Sequence, residues 1–384
     1  MTQEKKQLSS FSNSDDQDDL RKYLESLQEN WYDLTALYHT PISSILPQER
    51  EVDERVIYDI HHIDAIAERL RQAPGTISTN TLREWLNQFD TSLEKNIAYL
   101  LLREIQFFSE STIKSDVKNL RDKLLNFLME QEHLIEAFYS LAKPSTKSEI
   151  KFKRWLRHKV IRYAWLPQPK TKGVESQHTL WGYYENHALT GSLTGSETSC
   201  TPASKPRLLK DYFENPGYND PKFDVNPENT VFVFMDYING TGKQLSGCVS
   251  LINNLLDQFP KWKKSFFIIM YIAQSKTFKK EIIQFSTDNW QTIYAEQMLY
   301  YKDLKILAAL SNYKISETEY EEFVNKYCRR AGSTSLGYLD SASLTCHHRN
   351  CPNNTLTFFW KSSREWTAIF DHSQTPNATP YGKR

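Results

Sequence analysis

The residues best placed to do chemistry lie in one short run, Asp236-Tyr237-Ile238-Asn239-Gly240-Thr241-Gly242. A continuous apolar stretch, 230–235, leads into it and a helical pattern follows. Gly240-Thr241-Gly242 feeding a helix presents backbone N–H groups and a hydroxyl at the positive helix end, which suits a phosphate. Asp236, at the expected strand tip, can accept hydrogen bonds from sugar hydroxyls beside that phosphate. Asn239 belongs to the same ligand-binding set, and Lys243 adds charge where the helix begins.

Two other phosphate motifs fail on spacing. A Walker A loop needs Gly five residues before the Gly of its Gly-Lys pair, and Ser or Thr after the Lys. Tyr237 and Gln244 stand at those positions. A dinucleotide fingerprint needs G-x-G-x-x-G and an acidic residue about twenty positions later. Gly240, Gly242 and Gly247 miss the spacing, and Asp236 comes before the turn.

The elements that must position the turn follow from periodicity. The run 230–235 is apolar, β-branched and aromatic, and so predicts a strand buried on both faces. Residues 245–259 place Leu251, Leu255 and Phe259 on one helix face, and 265–273 predicts a second buried strand. Strand, helix, strand at this spacing is a βαβ unit of a parallel sheet. A crossover helix over 277–285, a third strand over 292–296 and a helix capped by Ser316 and Glu319 are expected next. Upstream, 18–142 reads as helices. Leu82, Trp85, Leu86 and Phe89 make one face, and Thr81 with Glu84, like Thr91 with Glu94, has capping-box spacing. Residues 1–17 read as a polar tail, 143–147 as a linker, and 170–206, rich in Ser, Thr, Gly and Pro, as a flexible loop.

Composition narrows the classes. In 384 residues, 47 Lys and Arg balance 47 Asp and Glu, so no overall charge draws the chain to nucleic acid. The segment 151–159, with Lys153, Arg154 and Arg157 among Phe152, Trp155 and Leu156, leaves two readings open. It is a basic grip on nucleic acid or an amphipathic helix docked by its apolar side. No apolar run approaches the roughly 18 residues of a membrane helix, and the first six residues are not a secretory leader. Five irregularly spaced cysteines fit reduced thiols, so a cytoplasmic protein is expected. Cys346-His347-His348-Arg349-Asn350-Cys351, with Cys328, carries zinc-ligand residue types, but the spacing is not that of a finger and no metal site is assigned. Asn353 and Asn354 either face a ligand's base or stabilise a turn, and His61 and His62, adjacent on a helix, cannot share one metal.

The run Val-Phe-Val-Phe-Met-Asp-Tyr-Ile-Asn-Gly-Thr-Gly-Lys-Gln, 231–244, resembles the signature of type I phosphoribosyltransferases. It resembles more closely the phosphoribosyltransferase-like proteins of bacterial conflict systems, the PRTase-CE group. Leu336-Gly337-Tyr338, Pro352-Asn353-Asn354-Thr355-Leu356, Trp360, Trp366 and Phe370 look like that group's C-terminal block, and Trp85-Leu86-Asn87-Gln88-Phe89 like part of its helical region. The resemblance implies an α/β fold: a helical domain over 18–142, then a Rossmann-like parallel-sheet domain of phosphoribosyltransferase type over 143–384. It implies that Asp236 holds the ribose hydroxyls of phosphoribosyl pyrophosphate, or of a nucleotide, and that Gly240, Thr241 and Gly242 cradle its 5′-phosphate. Mg²⁺ is implied with that ligand. The resemblance further implies a role as effector or regulator in anti-phage defence, with a defence partner protein or a retron's reverse transcriptase and non-coding RNA. Tyr237 replaces the group's second acidic residue, so turnover and ligand sensing without turnover both stay open, as does an assembly or nucleic-acid-binding role.

Overall fold

The computed structural model describes residues 60–73, 77–141, 148–168, 174–189, 206–215, 226–349 and 351–370. The expected tail and the 143–147 linker lie outside them. Helices α1 (Ile60–Leu70), α2 (Thr79–Leu86) and α3 (Ser92–Glu104) lead to a short strand, β1 (Gln106–Phe108). Then come α4 (Glu110–Met129), α5 (Glu132–Leu141), α6 (Glu149–Trp155), β2 (Ile161–Trp165), α7 (Val174–Tyr183), β3 (Arg207–Leu208) and α8 (Leu209–Glu214). The second half holds β4 (Val231–Asn239), α9 (Lys243–Gln258), β5 (Phe266–Gln274), β6 (Trp290–Gln297), α10 (Leu304–Asn312), α11 (Glu317–Arg330) and β7 (Thr345–His347).

Five strands form one parallel sheet in the order β3-β2-β4-β5-β6. The fold is therefore mixed α/β, as the apolar runs require. β4 and β5 are buried along nearly their whole length because helices cover both faces. Strand alternation divides the core. Val231, Val233, Met235 and Tyr237 pack toward α4 and α7, whereas Phe232 and Phe234 pack toward α8 and α9. The crossovers leave β2 and β4 in opposite directions, and α7 and α9 cover opposite faces, as right-handed connections demand. The strand order thus reverses between β2 and β4, which makes a crevice at their carboxyl ends the ligand position of this topology.

The packing of the N-terminal helices crosses the expected domain boundary. α1 to α3 share one core with α10, α11 and residues 342–370, whereas α4 and α5 pack on the sheet. Trp85 stacks on Phe359 at 5.5 Å and meets Trp366 edge-on at 5.8 Å. β1 pairs in parallel with β7, which fastens the end of α3 beside the end of β6.

Several local expectations are corrected. Ser78, not Thr81, caps α2; Thr81 is the third helical residue and its hydroxyl takes the place of Glu in the box. The Thr91–Glu94 and Ser316–Glu319 boxes form as spaced. The 277–285 crossover is no α-helix but a single 3-10 turn, Lys280–Ile282. There Ser275 Oγ accepts the Thr277 N–H, a turn that competes with helix, and Phe278 and Phe285 pack on the sheet core. Within the expected 170–206 loop, 174–189 is helical, because Leu180, Trp181 and Tyr184 dock on the sheet.

Asp116, on α4, is buried, with Oδ2 lacking a hydrogen bond. Burial pushes its carboxyl up to about 6, reinforced by the Glu296 charge and opposed by Lys123. The folded value lies above the unfolded one, about 3.9, so the stability it gives is complete below that pH and lost as pH rises through 6. Asp116→Asn is expected to raise stability at pH 8 by about 1 kcal/mol and to change it little at pH 4. Urea unfolding at the two pH values checks this.

Candidate functional site

The Gly240-Thr241-Gly242 turn joins β4 to α9 at the carboxyl edge of the sheet, beside the switch point. Gly242 is the N-cap of α9 at φ 83°, a left-handed conformation that glycine adopts without cost. Having no side chain, it leaves the first N–H groups of α9 without a side-chain cap. Thr241 is half-buried, and its hydroxyl bonds to no other described residue. Sixteen residues of helix thus point a positive end at this turn.

Asp236 is not at the strand tip. Pairing with β5 continues through Ile238–Ala273 and Asn239–Gln274, so β4 runs three residues past Asp236. Asp236 lies opposite Tyr271, beneath the start of α9, and is 7% exposed. Its Oδ1 accepts the Tyr237 N–H at 2.8 Å, and its Oδ2 accepts Gln244 Nε2 at 3.2 Å. No cation pairs with it among the described residues. Burial pushes the carboxyl up to about 6 against the lowering pull of that N–H, and burial, reinforced by the Asp236 charge, pushes the Cys248 thiol up to about 12.

Gln168 and Gln244, to which residue spacing gives no role here, also line the site. Gln168 follows β2 and reaches Gln244 across the crevice at 3.5 Å, with its own Nε2 buried and unpartnered. An amide donor left unmet in a crevice asks for a ligand or a water. No local pattern marks Gln168, because the contact spans 76 residues of chain.

The other candidates divide. Asn239 is buried and ties two strand ends together, its Nδ2 donating to Gln274 Oε1 at 3.2 Å and its carbonyl accepting Ser275 N–H. Lys243 is exposed, with Nζ 5.7 Å from the Tyr338 ring. Asn354 sits on Gly240 so closely that a Cβ there would lie 2.2 Å from its Nδ2. Its carbonyl accepts Ser343 N–H and Ser341 Oγ–H, while that of Asn353 accepts Tyr338 N–H. Both asparagines build a turn, and that turn roofs the 240–242 segment.

Cys346 and Cys351 are wholly buried in the core shared by the helices, and no group of three His, Cys, Asp or Glu side chains converges among the described residues. In the 151–159 segment, Phe152 and Leu156 are buried and Lys153 pairs with Glu149 at 2.6 Å, so it docks by its apolar side. Side chains of His61, His158 and Lys159 are outside the description. A cleft of about 370 Å³ opens elsewhere, at the ends of β5 and β6. Its charges are matched internally: Lys305 with Glu104, Lys276 with Asp303, and Arg69 with the carbonyls of Leu102 and Ile105 at the end of α3. No helix among the described residues is long and apolar enough to cross a membrane.

An open parallel sheet with an uncapped helix start and a buried carboxylate at its reversal point defines a doubly wound α/β protein built around an anion-binding turn. The family model PRTase-CE matches residues 82–372, and the chain belongs to that phosphoribosyltransferase-like family. No curated protein and no solved structure matches it.

Proposed function

We propose that the crevice binds a phosphoribosyl ligand of the phosphoribosyl pyrophosphate type. Its 5′-phosphate lies on the N–H groups that open α9 and on the Thr241 hydroxyl. Its ribose hydroxyls face Asp236, Gln244 and Gln168. The observation that carries this is the uncapped start of α9 next to a carboxylate with no cation partner among the described residues. Asp236 alone makes no protein cage for Mg²⁺, so the ion would be held mainly by the ligand's own phosphates. A role as effector or regulator in anti-phage defence, beside a partner protein or a retron's reverse transcriptase and RNA, is proposed on the likeness of residues 231–244 and of the C-terminal block alone.

A second reading, sensing without transfer, is favoured by Tyr237. Its ring turns to the opposite face of β4 from Asp236 and stacks on His347 at 5.0 Å. The crevice therefore holds one carboxylate from this strand, and one charge-assisted contact fewer for a sugar or a metal.

The test uses the full-length protein with labelled phosphoribosyl pyrophosphate, Mg²⁺ and a panel of nucleobases. Release of pyrophosphate means transfer; saturable binding without release means sensing. Neither binding nor release would overturn both. Thr241→Val removes one hydroxyl contact to a phosphate and is expected to weaken binding about tenfold in calorimetry.

A further inference from the structure

The residue after Asp236 opens onto different chemistry. Tyr237 is 5% exposed, on the α4 and α7 side of the sheet, and its Oη makes no hydrogen bond of normal geometry. Leaving a buried hydroxyl unmet costs the fold the desolvation of that group, so its presence calls for an explanation. His348 lies one residue beyond His347 on the same strand end, with Nδ1 likewise buried and unmet and Nε2 3.4 Å from Tyr183 Oη. Arg349 follows, exposed, donating one Nη1 bond to Thr179 on α7 and pairing with no described carboxylate. Its charge acts on Tyr237, Tyr183 and His348 alike. Two carboxylates reach this cluster: Glu110, matched by Lys114 at 2.7 Å, and Asp236, whose charge acts on Tyr237 from the other face of β4. Among the described residues, this sets a guanidinium with no carboxylate partner beside a phenol whose Oη is unmet and an imidazole whose Nδ1 is unmet.

We infer that Tyr237, His348 and Arg349 form a second oxyanion site, which takes a phosphate group on the face of β4 opposite Asp236. A guanidinium supplies paired N–H donors that match phosphate oxygens, and the phenol and imidazole donate to the remaining oxygen positions. A cation is excluded by the charge, and an apolar ligand by the two unmet polar atoms. The site goes beyond the proposed phosphoribosyl crevice and does not depend on it, because its donors come from the loop after β7 and the other face of β4.

The experiment follows the histidine ring resonances of the full-length protein by NMR during titration with inorganic phosphate, and separately with ribose 5-phosphate. The His348 signals are expected to move saturably. If free phosphate moves them as well as the ester does, the site takes the free ion; if only the ester does, it takes a phosphate monoester. Arg349→Gln, at an exposed position and with unfolding checked by circular dichroism, is expected to weaken this titration about tenfold, and Tyr237→Phe about fivefold. Arg349→Lys is expected to recover part of the loss, since it keeps the charge without the fork. Phosphoribosyl pyrophosphate binding at the crevice, followed by calorimetry in Arg349→Gln, is expected to stay within about twofold of wild type. His348 signals unmoved by either phosphate, or an Arg349→Gln titration equal to wild type, would overturn the inference whatever the crevice binds.

Discussion

Asp236→Asn is expected to abolish ligand binding at the crevice while making the folded chain more stable at neutral pH. The carboxylate lies under α9 and meets a backbone N–H and the Gln244 amide, with no cation beside it among the described residues. Keeping it ionised there is costly, which is why its carboxyl titrates near 6. The folded value exceeds the unfolded one, so stability is complete below about pH 3.9 and falls as pH rises through 6. Asn removes that penalty. Its Oδ1 still accepts the Tyr237 N–H, and Gln244 can turn its amide to accept from Nδ2. A gain of about 2 kcal/mol at pH 8 follows, fading toward pH 4. Binding moves the other way, because two charge-assisted contacts to sugar hydroxyls are lost, about 3 kcal/mol or more than a hundredfold. Calorimetry with phosphoribosyl pyrophosphate, beside urea unfolding at pH 4 and 8, measures both. An Asn variant that binds like wild type, or that unfolds more easily at pH 8, would remove Asp236 from the site.

That opposition of signs explains what the sequence could and could not reveal. Residue types at the turn were legible, since a buried strand, an acid and Gly-Thr-Gly before a helix are contiguous in the chain. The burial of Asp236 was not. It depends on β4 continuing to pair with β5 through Ile238 and Asn239, where Asn239 followed by glycine reads as a turn. β4, β5 and β6 were readable because apolar or alternating runs mark them. β1, β2 and β3 were not: β1 has three residues amid helices, β2 carries Arg162 next to a basic helix, and β3 has two residues. The helical pattern of α2 and α3 was plain, but their partner was not. Gln88 bonds to Thr367 across 279 residues, and no local periodicity encodes such a contact. In the sequence Tyr237 reads only as a missing acid. Its stacking on His347 depends on which face of β4 it takes and on β7 pairing with β1, neither of which spacing reveals.

The largest structural effect is expected at Gly240. Its missing side chain is occupied space: an added Cβ would lie 2.2 Å from Nδ2, 2.4 Å from Cγ and 2.6 Å from Oδ1 of Asn354. Asn354 cannot simply swing aside. Its Nδ2 donates to Ser341 Oγ, and its carbonyl accepts both Ser341 Oγ–H and Ser343 N–H, which fixes the roof over the turn. Gly240→Val must therefore push either the roof or the turn by more than 1 Å, at a cost of about 3 kcal/mol, comparable to overpacking a core. The same displacement misaims the N–H groups of α9, so ligand affinity is expected to fall more than a hundredfold. Asn354→Gly in the same chain separates the two effects. It opens the space that the valine needs, so the double variant should recover about 2 kcal/mol relative to Gly240→Val alone, a coupling typical of touching residues. Denaturation of wild type, the two single variants and the double variant closes the cycle. If the energies simply add, the contact between turn and roof does not constrain the site, and Gly240 is needed for something other than the room it leaves.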